Sequence, residues 1–285
     1  MTTHVLEVER EGCRLTTTVS GSGPPLVLIQ GVGLHGDGWL PQVARLERTY
    51  SCLRFDNRGI GRSLPIGSSL SVEQMAADVA ALMDAAGWDD AHVVGHSLGG
   101  LVGLELALTT PERVRSLALL CTSASGRDLV KLSWWSIGIG LRMKIGPRRQ
   151  RRRAFLEMVM PASSDGVRDP EEVAASLAPL FGYDLADQPV ISLKQAAAAR
   201  AYSAVERLHQ VPEVPTLVLS GAEDRVARPA FGADLARRLR HARFVELVGA
   251  AHGLTIHCAD EVTEILQNHL DEAEGLFAAT ERHGG

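Results

Sequence analysis

The stretch Ala91-His92-Val93-Val94-Gly95-His96-Ser97-Leu98-Gly99-Gly100-Leu101 decides how this chain is read. Its first four residues form a short β-type run, and a helical run extends from Leu101 to Leu108. Between them stands Ser97, with a glycine two positions before it and another two positions after. A serine on so sharp a turn brings its neighbours at those distances together, and only small residues fit. The strain lifts the hydroxyl toward solvent at the carboxyl end of a sheet, where ligands of open α/β folds bind. The helix starting there points its free N–H groups at any anion forming on the serine. G-x-S-x-G alone recurs by chance. A strand before it, a helix after it and a further glycine make it specific.

A serine hydroxyl is a weak nucleophile at neutral pH and needs a base, usually a histidine that a carboxylate orients. The turn at Ser97 therefore predicts an acid and a histidine on later strand ends, in that order. Asp224 follows the apolar run Thr216 to Ser220, and His252 follows the run Arg243 to Leu247. Glu223 is the rival acid and could take the same role one position earlier. His257 is the rival base, placed on the next helix, and His96 is expected to point away into packing.

Working outward, Val5 to Val8 and Arg14 to Val19 read as two strands with a turn at Glu11-Gly12. Leu26 to Ile29 is continuously apolar, as a buried parallel strand would be. After it, Gly31-Val32-Gly33-Leu34-His35-Gly36 matches G-x-G-x-x-G, with Asp56 at the distance of a ribose-binding acid. Gly38, Trp39 and Pro41 stand where the phosphate-facing helix should be under way, so the dinucleotide reading is set aside. Asp56 is instead assigned to the turn Asp56-Asn57-Arg58-Gly59-Ile60-Gly61-Arg62-Ser63. Ser71 with Gln74 caps a helix whose apolar positions run from Val72 to Ala86, and Gly87 ends it. Strands alternating with helices predict a doubly wound, mostly parallel sheet.

The rhythm breaks between residues 123 and 209. Helical patterns there are punctuated by glycine and proline, which predicts an inserted helical lid on a core made of residues 1–122 and 210–285. Residues 127–153 carry nine Lys/Arg against Asp128 alone, and residues 154–190 carry seven acids against Arg168. The plain reading is two halves that attract each other; the sharper one is a basic surface drawing an anionic substrate or a membrane. Trp134, Trp135 and Ile139 are expected to roof a pocket for a lipophilic substrate. Residues 274–285 are polar and Gly-rich, and are expected to fray.

Composition bounds the function. Of 285 residues 45% are hydrophobic, and the net charge of −5 gives no reason to expect nucleic-acid binding. The four cysteines show no C-x-x-C pair and no ligand-like cluster with histidine, so buried thiols are expected and no metal. No basic-then-apolar leader opens the chain and no long apolar run follows, so a soluble cytoplasmic protein is expected.

Taken together, Gly31-Val32-Gly33 with Trp39, the turn from Asp56 to Ser63, Gly95 to Gly100, Gly221 with Asp224-Arg225-Val226 and Pro229, and His252-Gly253 resemble the α/β-hydrolases. The likeness is to the small bacterial lid-bearing type, similar to enol-lactonases and aclacinomycin methylesterase-like carboxylesterases. It covers residues 1–122 and 210–272 and leaves the insertion unmatched. The resemblance implies an α/β-hydrolase fold and a cofactor-free serine hydrolase cleaving an ester, lactone or thioester of a small molecule. It implies Ser97, Asp224 and His252 as catalytic residues, with the backbone N–H groups of Val32 and Leu98 holding the oxyanion. Carbon–carbon hydrolases and haloperoxidase-like enzymes use the same triad, and a receptor with vestigial hydrolysis is the rival of another class. One departure is Gln30-Gly31, where many relatives have His-Gly.

Overall fold

The computed structural model describes residues 3–67, 70–129, 133–162 and 169–283. Eight strands form one sheet in the order β1-β2-β4-β3-β5-β6-β7-β8. They are β1 (Thr3–Arg10), β2 (Cys13–Gly21), β3 (Pro25–Ile29), β4 (Ser51–Phe55), β5 (Ala91–His96), β6 (Val114–Leu120), β7 (Thr216–Gly221) and β8 (Ala242–Leu247). The expected hairpin joins β1 to β2, with Glu11 and Gly12 both at positive φ. β2 is antiparallel to β4, and from β4 through β8 every pairing is parallel. β5 and β7 are buried at every residue, which is why their sequences run apolar without alternation.

The helices of the first half are α1 (Leu40–Leu46), α2 (Val72–Ala85) and α3 (Leu98–Thr109). The Ser71 side chain accepts from the Gln74 amide, as its spacing predicts. α3 is buried from Leu98 to Ala107, because it lies against β5, β6 and α2. Among the described residues, five α-helices stand between β6 and β7: α4 (Gly126–Leu129), α5 (Trp134–Arg142), α6 (Arg148–Val159), α7 (Pro170–Phe181) and α8 (Ile191–Ala201). α9 (Pro229–Arg238), α10 (Leu254–His257) and α11 (Ala259–His283) complete the chain. Of residues 274–285, expected to fray, those up to His283 are helical in α11, and residues 284 and 285 lie outside the described residues. The buried α11 stripe of Val262, Leu266 and Leu270 packs into the main core, and Arg115 holds Glu274 at 3.1 Å.

The helices between β6 and β7 have a hydrophobic cluster of their own. Phe155, Leu156 and Val159 of α6 pack against Ala174, Leu177 and Phe181 of α7, with the Phe155 and Phe181 rings edge to face at 5.2 Å. Charges pair between α5 and α6, and between α6 and residues in and just after α7, which is the plain reading of the split. Arg142 meets Glu157 at 2.6 Å, Arg148 meets Asp184 and Asp187 at 2.8 and 2.7 Å, and Arg152 meets Glu171 at 2.6 Å. No helix among the described residues is long and apolar enough to cross a membrane.

Candidate active site

Parallel strands end on the same edge of a sheet, so the loops after β3, β5, β7 and β8 converge although they are far apart in sequence. Ser97 sits in the turn from β5 to α3 at φ 56° and ψ −116°, a conformation rare for any residue with a side chain. Its surroundings hold it there. A methyl group on Gly95 would overlap the Gly99 carbonyl oxygen, one on Gly99 would overlap the Ile29 carbonyl, and one on Gly100 would strike Thr122. The Ser97 amide donates to the Leu120 carbonyl at 2.8 Å, and the Thr122 hydroxyl donates to the Ser97 carbonyl at 2.9 Å.

The imidazole of His252 stands between the other two side chains, with Nε2 3.1 Å from Ser97 Oγ and Nδ1 2.8 Å from Asp224 Oδ2. Asp224 is buried, and its other oxygen accepts from the amides of Val226 and Ala227, both at 2.8 Å. Burial opposes the charge on Asp224, but His252, the Ala227 amide and the neighbouring Cys121 thiol outweigh it and hold the carboxyl below its ordinary value. An ionised Asp224 accepting from Nδ1–H leaves Nε2 free to take a proton from Ser97. The rival acid Glu223 is elsewhere engaged, accepting from the Ala162 amide at 3.0 Å. The rival base His257 lies in α10 and receives the Ala251 amide at 3.2 Å.

The loop after β3 lies beside Ser97. A methyl group on Gly31 would stand 3.2 Å from Ser97 Cβ, a tight contact that would push on the serine side chain. Val32 and Leu98 both border the cavity at Ser97. Leu98 is the first residue of α3, where an amide has no acceptor within its own helix. Gln30 accepts from the Gly31 amide at 3.2 Å through its side chain and from Asn57 Nδ2 at 3.0 Å through its carbonyl. Asp56 accepts from the amides of Gly36 at 2.9 Å and Arg62 at 3.0 Å. The carboxylate at ribose-binding distance is thus occupied in bracing two turns.

Two expectations are corrected. His96 does not point away: its Nε2 lies 2.8 Å from the His252 carbonyl, and the two rings are 4.9 Å apart. Burial, with His252 nearby, pushes the His96 pKa down to about 3, so the ring is neutral and Nε2–H donates to the carbonyl. His96, Cys121 and His252 also form a cluster whose ligand-type atoms lie within 4.8 Å of one another, although no spacing in the sequence suggests it. Both nitrogens of His252 and one of His96 are already hydrogen-bonded within the site.

The second correction concerns the roof. The cavity at Ser97 has a volume of about 280 Å³, and Met143, Phe155, Met158, Phe181, Ser192 and Ala196, from the stretch between β6 and β7, line it. Ser97 is only 7% exposed. Trp135 and Ile139 instead line an adjoining chamber of about 320 Å³ that shares Met143, Met158 and Ser192. Trp134 borders neither chamber and is 91% exposed. The helical period explains this. Trp135, Ile139 and Met143 fall on one stripe of α5 and its cap, while Trp134, Ile137, Leu141 and Ile145 fall on the other. Sequence reasoning missed the α6 and α7 residues, although Phe155, Met158 and Val159 follow helical spacing and could have been read as an inward face.

Comparison with known proteins places the fold in a family. The family model for the alpha/beta hydrolase fold matches residues 24–256. The chain belongs to that family. It is 30% identical over 259 residues to a protein of Azorhizobium caulinodans named "Putative carbamate hydrolase RutD", covering 90% of this chain and 94% of that one. It is 32% identical over 265 residues to a pimeloyl-(acyl-carrier protein) methyl ester esterase of Xanthomonas axonopodis pv. citri, covering 87% and 96%. Among solved structures, the enol-lactonase from Burkholderia xenovorans LB400 superposes with a TM-score of 0.78 at 27% identity, covering 93% of this chain and 100% of that one. The expected fold and the expected hydrolase class are both borne out.

Proposed function

We propose that this chain is a serine hydrolase that opens a carboxylic ester or lactone, or a thioester, of a lipophilic small molecule through an acyl-enzyme. The observation that carries the reading is the unbroken line from Ser97 Oγ through His252 to Asp224, at 3.1 and 2.8 Å. His252 takes the Ser97 proton as Oγ attacks the carbonyl, and the amides of Val32 and Leu98 hold the oxyanion. His252 then gives that proton to the departing alkoxide. In the second half it takes a proton from water, the resulting hydroxide attacks the acyl-enzyme, and the acid leaves as Ser97 is reprotonated. Asp224 keeps the imidazole in the required tautomer throughout.

On this reading residues 1–122 and 210–285 carry the chemistry, and residues 123–209 form a lid that shapes the substrate pocket. Methionine and phenylalanine side chains of the insertion around Ser97 favour an apolar acyl or alcohol group. The methyl ester and lactone in the names of two relatives support the same substrate class. Reaction with a fluorophosphonate, followed by peptide mass spectrometry, tests the assignment. The adduct is expected on the peptide containing Ser97, together with loss of p-nitrophenyl acetate turnover. An adduct on any other peptide removes Ser97 from the mechanism.

A further inference from the structure

The loop Gln30-Gly31-Val32-Gly33 is held from two sides that are unrelated in sequence. Core residues hold its beginning, where the Gln30 side chain accepts the Gly31 amide and Asn57 donates to the Gln30 carbonyl. Its end is held by the insertion. The amide of Gly33 donates to Oε1 of Gln195 at 2.7 Å, across 162 positions of sequence. Gln195 lies on α8 and is wholly buried. Its Nε2 faces the Arg58 carbonyl at 3.5 Å, and Arg58 is itself fixed by a two-point pair with Asp78 at 2.9 and 2.7 Å.

A glutamine is rarely buried unless both ends of its amide are used. Here the acceptor end is used on one backbone amide of the loop that borders the nucleophile. Gly33 stands at φ +77°, and a methyl group there would press on Ser192 Oγ, so α8 lies hard against the loop. The peptide planes are rigid. Fixing the Gly33 N–H fixes the plane between Val32 and Gly33, and with it one side of the backbone of Val32, a residue that borders the cavity. α8 is anchored in turn: Gly126 donates to the Tyr202 carbonyl at 3.1 Å, and Tyr202 donates to Glu105 of α3 at 2.9 Å.

We infer that Gln195 is a positioning residue, through which the helical insertion sets the aim of the Val32 amide at the oxyanion. The inference rests on the serine-hydrolase reading above. It makes the insertion part of the catalytic apparatus as well as a pocket wall. Oxyanion donors act only when aimed at the position the charge will occupy, and loss of one typically costs about 10²–10³ in turnover. A misaimed donor costs less, about 10- to 100-fold.

The test compares Q195L, Q195N and Q195E in steady-state hydrolysis of p-nitrophenyl butyrate, with circular dichroism and a thermal melt as checks on folding. Q195L cannot accept the Gly33 amide, and is expected to lower kcat about 10- to 100-fold with KM within about twofold. The inhibition constant of a trifluoromethyl ketone, whose adduct carries the oxyanion, is expected to rise by the same factor. Q195E keeps an acceptor at the same reach, and is expected to restore kcat to within about threefold of the parent. Should Q195L fail to fold, Q195N is polar but too short to reach Gly33, and reads the same split. Folded variants with unchanged kcat overturn the inference. So does a parallel loss of kcat, KM and melting temperature that Q195E does not repair. S97A separates the two levels: turnover that survives in S97A sinks the serine-hydrolase reading itself, whatever Gln195 does.

Discussion

The turn carrying Ser97 and the helix α5 of the insertion differ most in how tightly their surroundings specify them. At the turn, glycines 95, 99 and 100 each lie against backbone or side-chain atoms that a methyl group would strike. In α5, Gly138 and Gly140 have open space around them, and Trp134, Ile137 and Leu141 face outward. Chemistry needs a strained conformation held in place, and strain persists only where the neighbours over-determine it. Substrate choice needs only a wall of suitable shape, so that region tolerates loose packing and sequence change. The insertion is tight where α8 meets the core and loose at α5.

The largest way to break the contrast is at the acid. Asp224→Asn is expected to lower kcat by about 10⁴ with the fold intact, because the imidazole is then held in the wrong tautomer. Ester hydrolysis and a thermal melt on the same sample check it. A loss of less than tenfold would mean that Glu223 or another acid serves His252.

Next comes the glycine comparison. Gly99→Ala pushes a methyl group into the Ile29 carbonyl, and is expected to destabilise the protein by about 3 kcal/mol. Gly140→Ala, in the open middle of α5, is expected to stabilise by roughly 0.5–1 kcal/mol through helix propensity. Urea titration of both variants measures the difference. Equal effects would show that the two regions are equally constrained.

Between these in size is a pH effect seated at the turn. His96 is buried and neutral, its pKa pushed down to about 3 by burial and then by His252. The unfolded chain has an ordinary histidine with a pKa of about 6.5, so below that pH the unfolded state binds more protons. The stability is fully present above about pH 6.5 and falls as the pH drops toward 3, with about 2 kcal/mol lost by pH 5. His96→Gln is expected to remove that part of the slope between pH 6.5 and 5. Urea midpoints at the two pH values measure it, and parallel slopes for parent and variant would place the titration elsewhere.

The smallest effect belongs to the insertion's charges. Arg152 holds Asp184 and Glu171, and its guanidinium, with the Ala186 amide and Arg148, keeps the Asp184 carboxyl below its ordinary range against the opposing effect of burial. The pair is half-exposed, so Arg152→Gln is expected to shift the melting temperature less than any change above, and less again at high salt.

Much of the site was legible because its signals are local. Gly95, Ser97 and Gly99 specify a turn within five residues, and Asp224 and His252 each stand just past an apolar strand. Parallel pairing then brings them together without further information. His96 was misread because its partner, the His252 carbonyl, lies 156 positions away and belongs to the backbone, which carries no residue code. Trp134 was misplaced for a different reason. A helix that is apolar on two stripes does not reveal which one faces inward until it is packed.

The sequence by itself determined the class of fold, a doubly wound and mostly parallel sheet, and marked Ser97, Asp224 and His252 as the candidate triad, since each signal rests on neighbours along the chain. Only the tertiary structure decided which helix faces cover Ser97, where the charged halves of the insertion meet, and that a glutamine of α8 grips the loop after β3. Those outcomes depend on how separate segments are oriented in space, and a hydrogen bond to a distant backbone amide leaves no mark in either segment's composition.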